Sequence, residues 1–349
     1  MRGTLWGLCS CLCFVGNRDL EKQVKKLRAA FALTAVLAVT ACGGGSPSGE
    51  EGGGGSPGAG GELTPVNVGV IPIVDVAPIY LGEKEGFFEE AGLDLELTQA
   101  QGGAAIVPAI TSGQMDFGFS NVTSLIIARS KGLPMQMVAS GSSTTGDENE
   151  DFAAVMVKPD SGIEEIKDLE GKKIAVNTLN NISDSTISAA VEEAGGDPSK
   201  VDYVEMAFPD MRAALEQDNV DAIAAVEPFL TLARQDGAVP VFSNYAHPVE
   251  DLTVAVYFTS DEIAEQKPEV TEAFVSAMKK SQAFAEENPD KVRAILPEYT
   301  QLDPAIIEEL TLPKFAQEVN AESIQEIADI SLKGGLIEEI PDMEALLPR

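Results

Sequence analysis

Residues 109–132 read AITSGQMDFGFSNVTSLIIARSKG, and residues 214–237 read ALEQDNVDAIAAVEPFLTLARQDG. Laid over one another without a gap, they share Ala109/Ala214, Asp116/Asp221, Leu125/Leu230, Ala128/Ala233, Arg129/Arg234 and Gly132/Gly237, every pair 105 positions apart. A second echo, EEAG, occurs at Glu89 to Gly92 and again at Glu192 to Gly195. Self-similarity at a fixed spacing signals two copies of one supersecondary unit. A chain of 349 residues is also long for one core and comfortable for two.

Each copy alternates short apolar runs with amphipathic stretches, the pattern of a mostly parallel sheet flanked by helices. In the first copy, strands are expected at 66–71, 93–98, 115–119 and 135–139, with helices at 79–90, 106–112 and 122–130 and Pro108 in the first turn of the second helix. In the second copy, strands are expected at 153–157, 173–177, 201–205, 222–225 and 239–242, with helices at 185–194, 211–217 and 229–234. Residues 252–259 read as an alternating strand that returns to the first unit. Beyond Asp261 the apolar spacing is helical, with prolines at the breaks. The expected fold is therefore α/β and two-lobed, with lobe one at 65–145 plus 250–349 and lobe two at 146–249. The chain crosses between lobes near 141–151 and 243–250. Two crossings make a hinge, and a hinge between α/β lobes makes a cleft. The loops after the strands' carboxyl ends face it.

The flanks say where such a protein works. Lys25, Lys26 and Arg28 precede an apolar run over 29–40, too short to span a bilayer, in the charged-then-apolar order of an export signal. Val39, Thr40, Ala41 and Cys42 resemble the lipobox of bacterial lipoproteins, which makes Cys42 the expected site of lipidation. Residues 24–41 are then the signal peptide, and 1–23 read as an overlong gene start, with Val24 the start codon's residue. The glycine-dominated stretch GGGSPSGEEGGGGSPGAGG that follows has almost nothing to bury. We read 42–64 as a flexible tether, so that the folded part is anchored to the membrane rather than spanning it.

Composition removes several chemistries. All four cysteines, Cys9, Cys11, Cys13 and Cys42, lie ahead of the folding region, and His247 is the sole histidine. Disulfides, thiol-based metal or redox sites, Ser-His and Cys-His catalysis and multi-histidine zinc sites are excluded from the folding region. No cofactor or metal is expected. A formal net charge of −32 argues against nucleic acid and anionic lipid surfaces as partners.

Candidate contacts sit on the loops after strands. Asp75, in IPIVDVAP, either caps the next helix or meets a ligand. Ala77 and Pro78 shape that helix start, and Tyr80 either presents its ring to the cleft or packs against the sheet. Gln101, Gly102 and Gly103 form a small-residue turn where a ligand can approach peptide N–H groups. Ser120 and Asn121 bring a hydroxyl and an amide to a helix start, and Gly141 lies at the first crossing. By the repeat, Ala225 and Val226 occupy the places of Ser120 and Asn121, followed by Glu227, which is read as a ligand contact or a cap. Asn177, Thr178, Asn180, Asn181 and Ser183 lead into a lobe-two helix, with Asp184 and Asp210 on the same rim. Arg212 is the one cation near these loops.

The stretches APIYLGEKEGFFEEAGLDLEL, QGGAA and SGQMDFGFSN, continued by DLEGKKIAV and DAIAAVEPF, resemble the solute-binding proteins for nitrate, sulfonates, taurine and thiamine-precursor pyrimidines that serve ABC importers. The resemblance covers residues 66 to about 241 and weakens in the C-terminal helices. It implies a type II periplasmic-binding fold, a monomer closing on one small molecule, and an ABC permease with its ATPase as partners. It also raises the alternative of a pyrimidine-precursor synthase. The resemblance gives such enzymes an active-site histidine, a cysteine-rich motif and a cofactor lysine, for which this sequence offers His247 with no thiol near it. A ligand-sensing module without a permease is the third reading. The acidic rim favours a neutral or cationic nitrogen compound paired with Asp75 or Glu227 over an anion.

Overall fold

The computed structural model describes residues 62–348. The leader, Cys42 and most of the tether lie outside them. Ten strands build two five-stranded sheets: β1 (Thr64–Val70), β2 (Leu93–Gln99), β3 (Phe117–Asn121), β4 (Met135–Ser143) and β10 (Thr253–Ser260) in the first, and β5 (Ala153–Val157), β6 (Lys173–Val176), β7 (Asp202–Glu205), β8 (Ala222–Val226) and β9 (Val239–Phe242) in the second. Their spatial orders are β2-β1-β3-β10-β4 and β7-β6-β8-β5-β9. Position for position these are the same topology. In both, the fourth place is taken by an antiparallel strand that the chain lays down just after crossing from the other sheet.

Helices α1 (Ala77–Lys84), α2 (Phe87–Glu90), α3 (Gly103–Thr111) and α4 (Val122–Ser130) serve the first sheet, and α5 (Ile182–Glu193), α6 (Phe208–Glu216) and α7 (Phe229–Gln235) the second. The C-terminal helices are α8 (Asp261–Gln266), α9 (Pro268–Glu287), α10 (Pro289–Ile295), α11 (Pro304–Glu309), α12 (Ala321–Lys333) and α13 (Met343–Leu346). Both α3 and α6, and both β3 and β8, begin and end 105 residues apart.

The repeated residues hold equivalent bonds. Asp116 Oδ2 accepts the Asn67 N–H at 3.0 Å, and Asp221 Oδ2 accepts the Lys173 N–H at 2.8 Å. Their own N–H groups donate back to the carbonyls of Asn67 and Lys173, so each aspartate stitches its strand's entrance to the neighbouring strand. The Ala109 and Ala214 carbonyls accept from Gln114 and Asn219 at 2.8 and 2.9 Å. Gly132 and Gly237 have φ of 81° and 93°, the left-handed helix stop that glycine adopts without steric cost.

Some sequence boundaries move. The third strand runs from Phe117 to Asn121, so Ser120 and Asn121 belong to its end. The fourth continues to Ser143. The long helix expected at 79–90 is two helices, parted at Gly86, whose φ is 79°. Pro108 lies well inside α3 because that helix starts at Gly103. The strand β10 is buried along its whole length rather than on alternate residues, because Tyr257 packs on Phe274 of α9 while α3 and α4 cover its other face. Phe274 anchors lobe one's core. It stacks on Phe117 with centroids 4.0 Å apart and lies 5.9 Å from Phe88. A smaller apolar cluster, including Val155, Ile174, Ile187 and Ala222, sits on lobe two's sheet.

Candidate functional site

The first crossing runs from the end of β4 to β5, and the second from β9 to β10. Asp151 ties them together: its carboxylate accepts Thr144 Oγ1 at 2.9 Å, the Thr145 N–H at 2.9 Å and Ser243 Oγ at 2.6 Å. Its partners lie on both crossings, and no local motif in the sequence pointed to it. The lobes also touch beyond the hinge. The Val74 N–H donates to the Glu227 carbonyl at 3.3 Å, and Lys333 Nζ lies 2.9 Å from Glu192.

Asp75 lies in the 3-10 turn Val74–Val76 that follows β1, buried at 2% exposure. It caps no helix: the residue before α1 is Val76, and no side chain caps that end. One carboxylate oxygen accepts Ser142 Oγ from the end of β4 at 2.7 Å. The other, Oδ2, is buried and has no partner. Burial pushes the Asp75 carboxyl up to about 6, the Ser142 bond opposes this, and the charge of Asp151 adds to it. The phenols of Tyr245, Tyr257 and Tyr299 lie within electrostatic reach of Asp75, and burial pushes all three upward. They are neutral at physiological pH and available as donors. Tyr299 donates to the Ile73 carbonyl at 3.1 Å, and Tyr80 stacks on Tyr299 with centroids 4.1 Å apart. Tyr257 OH is unpartnered.

A second group of candidates meets at the start of α3. Gly102 is extended and provides no side-chain cap, so the N–H groups at the positive end of the helix have no side-chain acceptor, although the Ala105 N–H turns back to the Gly102 carbonyl at 3.1 Å. A Cβ at Gly102 would lie 2.8 Å from Thr178 Oγ1 of lobe two, and one at Gly103 would lie 1.9 Å from Ser120 Oγ. Glycine is needed at 103 for strand and helix to come this close, and at 102 a side chain would press on the Thr178 hydroxyl of the opposite lobe. Ser120 Oγ and Thr123 Oγ1 are buried without partners, whereas Asn121 caps α4 by accepting the Ser124 N–H at 2.9 Å.

Other candidates are occupied by structure. Glu227 is fully buried, and both its oxygens are bonded: Thr231 Oγ1 at 2.8 Å, the Thr231 N–H at 3.1 Å and the Thr311 N–H at 3.2 Å. Burial raises its carboxyl while these bonds pull the other way. It joins α7 to the segment after α11. Asn181 and Asp184 form a capping box at the start of α5, with Asp184 accepting the N–H groups of Asn180 and Asn181 at 2.6 Å. The Asn181 amide also reaches Asn177 at 3.4 Å. Asn180, at φ 54°, is exposed. Ser183 Oγ lies 3.3 Å from Tyr245 OH, linking lobe two to the second crossing. Gly141 is a packing position, since a Cβ there would meet the Phe119 ring at 2.7 Å and the Ala255 carbonyl at 2.8 Å. Ala77 is buried in α1. Arg212 pairs with Asp236 on the surface at 2.7 Å.

A concavity of about 870 Å³ lies elsewhere, between α5 and α12. Its rim holds Glu192, Glu193, Glu326 and Lys333, and the buried Asp184 and Ser185 that also line it already have hydrogen-bond partners. The Asp75 cluster is the better candidate because its incomplete bonding is buried, and buried polar groups are ordinarily satisfied.

Known proteins share this architecture. The taurine-binding periplasmic protein of Escherichia coli (strain K12) is 27% identical over 226 residues, 64% of this chain and 68% of its own. The 4-amino-5-hydroxymethyl-2-methylpyrimidine phosphate synthase THI11 of Saccharomyces cerevisiae is 23% identical over 255 residues, 68% of this chain and 70% of its own. Among solved structures, the periplasmic aliphatic sulphonate binding protein SsuA from Escherichia coli superposes with a TM-score of 0.65 at 19% identity, covering 80% of this chain and 96% of that one. Among the described residues, no helix is long and apolar enough to cross a membrane. With the NMT1/THI5-like family model matching residues 73–292, the two-lobed chain belongs to that family.

Proposed function

We propose that this chain is the extracytoplasmic substrate-binding lipoprotein of an ABC importer. It captures a small nitrogen- or sulfur-containing organic molecule between its lobes and presents the closed form to a permease and its ATPase. The single observation that carries this reading is Asp75: a buried carboxylate with one unpartnered oxygen, in a segment of lobe one that touches lobe two through Val74 and Glu227. A buried carboxylate left half-bonded is suited to a partner that arrives and leaves. Gly102 and Gly103, with Thr178 and Ser120 against them, offer open peptide N–H groups for a second, polar end of the molecule. Ligand-driven closure shifts an equilibrium and requires no bond to be made or broken.

The chain acts without catalysis in this reading, although a relative carries a synthase name. His247 lies on the second crossing beside Glu148 and Glu193, at 3.9 and 3.5 Å, and the folded region has no thiol to join it. Cys42 carries the lipid, the glycine-rich stretch spaces the lobes from the membrane, and the folded part works as a monomer. Thermal-shift screening of the purified chain against amines, sulfonates, nitrate and pyrimidine precursors tests the binding role, since a ligand of the native state raises apparent stability. Stabilisation by one class, together with loss of its uptake when the gene is deleted, is the expected result. Binding with uptake intact would favour a sensor, and turnover of the bound compound would favour an enzyme.

A further inference from the structure

Among the described residues, four carboxylates are buried: Asp75, Asp151, Asp184 and Glu227. Three have both oxygens engaged. Asp151 is held by Thr144, Thr145 and Ser243, Asp184 by two N–H groups ahead of α5, and Glu227 by Thr231 and Thr311. Asp75 alone is half-finished, with Ser142 on Oδ1 and nothing on Oδ2. We infer that the cleft takes a ligand bearing a protonated amine or amidine nitrogen, with Asp75 Oδ2 accepting one of its N–H groups.

The inference rests on the binding-protein reading and narrows it. An unpaired carboxylate oxygen out of water demands a donor, and a cationic donor offsets the desolvation of the charge where a neutral one only bonds it. The surroundings supply neutral donors but no cation. The nearby phenols are neutral, and the charge that Asp75 senses from Asp151 is of its own sign. Arg212, the cation closest in sequence to the cleft loops, is engaged with Asp236. An anionic group at Oδ2 would therefore meet two carboxylates and no counter-charge. Glu227, the other acidic residue that the sequence offered for this role, has no oxygen left without a bond, so recognition of the nitrogen falls to Asp75.

The test uses the purified full chain and matched compounds: primary amines, the same molecules with hydroxyl in place of the amine, and their N-trimethyl forms. Thermal shift finds the binding pair, and calorimetry measures it. The amine is expected to bind about 10- to 100-fold more tightly than its hydroxyl counterpart, the range that follows from a hydrogen bond to a charged group. The N-trimethyl form keeps the charge without an N–H, and is expected to lose most of that advantage. Asp75→Asn should erase the preference. In the unmodified protein the preference should also fade below about pH 6, where Asp75 takes up a proton; this arm needs no variant to fold. Equal affinity for amine and hydroxyl compounds, or tighter binding of compounds without basic nitrogen, would overturn the inference and leave the binding function standing. Failure of every compound to bind would count against both.

Discussion

Lobe one and lobe two share one topology, one helix register and one stitching aspartate, yet they differ in how completely their polar groups are satisfied. The six buried side-chain atoms found without partners belong to Asp75, Ser120, Thr123, Ser140, Tyr257 and Gln282, all in lobe one or the C-terminal helix packed on it. Lobe two contributes none among the described residues. Where lobe one has Ser120 at the end of β3 and Thr123 just beyond it, lobe two has Ala225 at the end of β8 and Pro228 just beyond it. Copies of one fold have thus been specialised in opposite directions. One keeps open valences, and the other closes over them with bonded caps and apolar residues.

The comparison can be broken at its core first. Phe274→Ala removes the ring that Phe117 stacks on and should cost about 3–5 kcal/mol, read by urea denaturation. A loss below about 1 kcal/mol would show that lobe one's core does not depend on this ring.

Asp75→Asn comes next, with the opposite sign. Its carboxyl sits at about 6 in the folded protein against an ordinary 3.8, so the fold binds a proton more readily than the unfolded chain. The stabilisation from this group is complete below about pH 3.8 and is lost as pH rises through about 6. The full difference is about 3 kcal/mol. In the absence of ligand, the variant should gain up to that amount over the native chain at pH 8 and little at pH 4. Equal gains at both pH values would mean that Asp75 imposes no such cost. Glu227 is raised in the same direction, but its bonds reach Thr311 as well as its own helix. Its replacement by Gln should therefore destabilise where Asp75→Asn stabilises.

Exchanging the lobes' chemistry sharpens the contrast further. Ala225→Ser places a hydroxyl at a position 1% exposed and should cost about 1–3 kcal/mol unless it finds a partner. Ser120→Ala removes an unpartnered hydroxyl and should be near neutral in stability while weakening ligand binding in calorimetry. Apart from the near-neutral Ser120→Ala, the smallest expected stability effect is at the shared aspartate. Asp116→Ala and Asp221→Ala should each cost about 1 kcal/mol by loss of a strand-stitching bond, once the ion pair of Asp116 with Lys267 is removed from variant and reference alike by Lys267→Ala. A cost confined to one lobe would show that the equivalent bonds carry unequal weight.

The sequence made the repeat legible because its six shared residues do the same local work in each copy: helix stops, a carbonyl acceptor, a stitching carboxylate. Periodicity located the strands, since their burial is set by neighbouring sheets and helices. What it missed depends on distance along the chain. Asp75 read as a possible cap because its true partner, Ser142, lies 67 residues on. Glu227 read as a possible ligand contact because Thr311, 84 residues away, takes one of its oxygens. Asp151 carried no local motif, and its role appears only when the two crossings are side by side. Gly141 read as part of the cleft, but the Phe119 ring and the Ala255 carbonyl account for it.

The exchanged fourth strand has a consequence for the order of assembly. All five strands of lobe two come from one uninterrupted stretch, whereas the first sheet must wait for β10 to slot between β3 and β4, a pairing that joins residues 110 to 140 positions apart. Closing so long a loop in a disordered chain is slow, and a compact lobe two formed beforehand shortens it. During refolding, amide protection should arise across 153–242 before it arises in β3 and β4, which makes the second lobe the scaffold on which the first is completed.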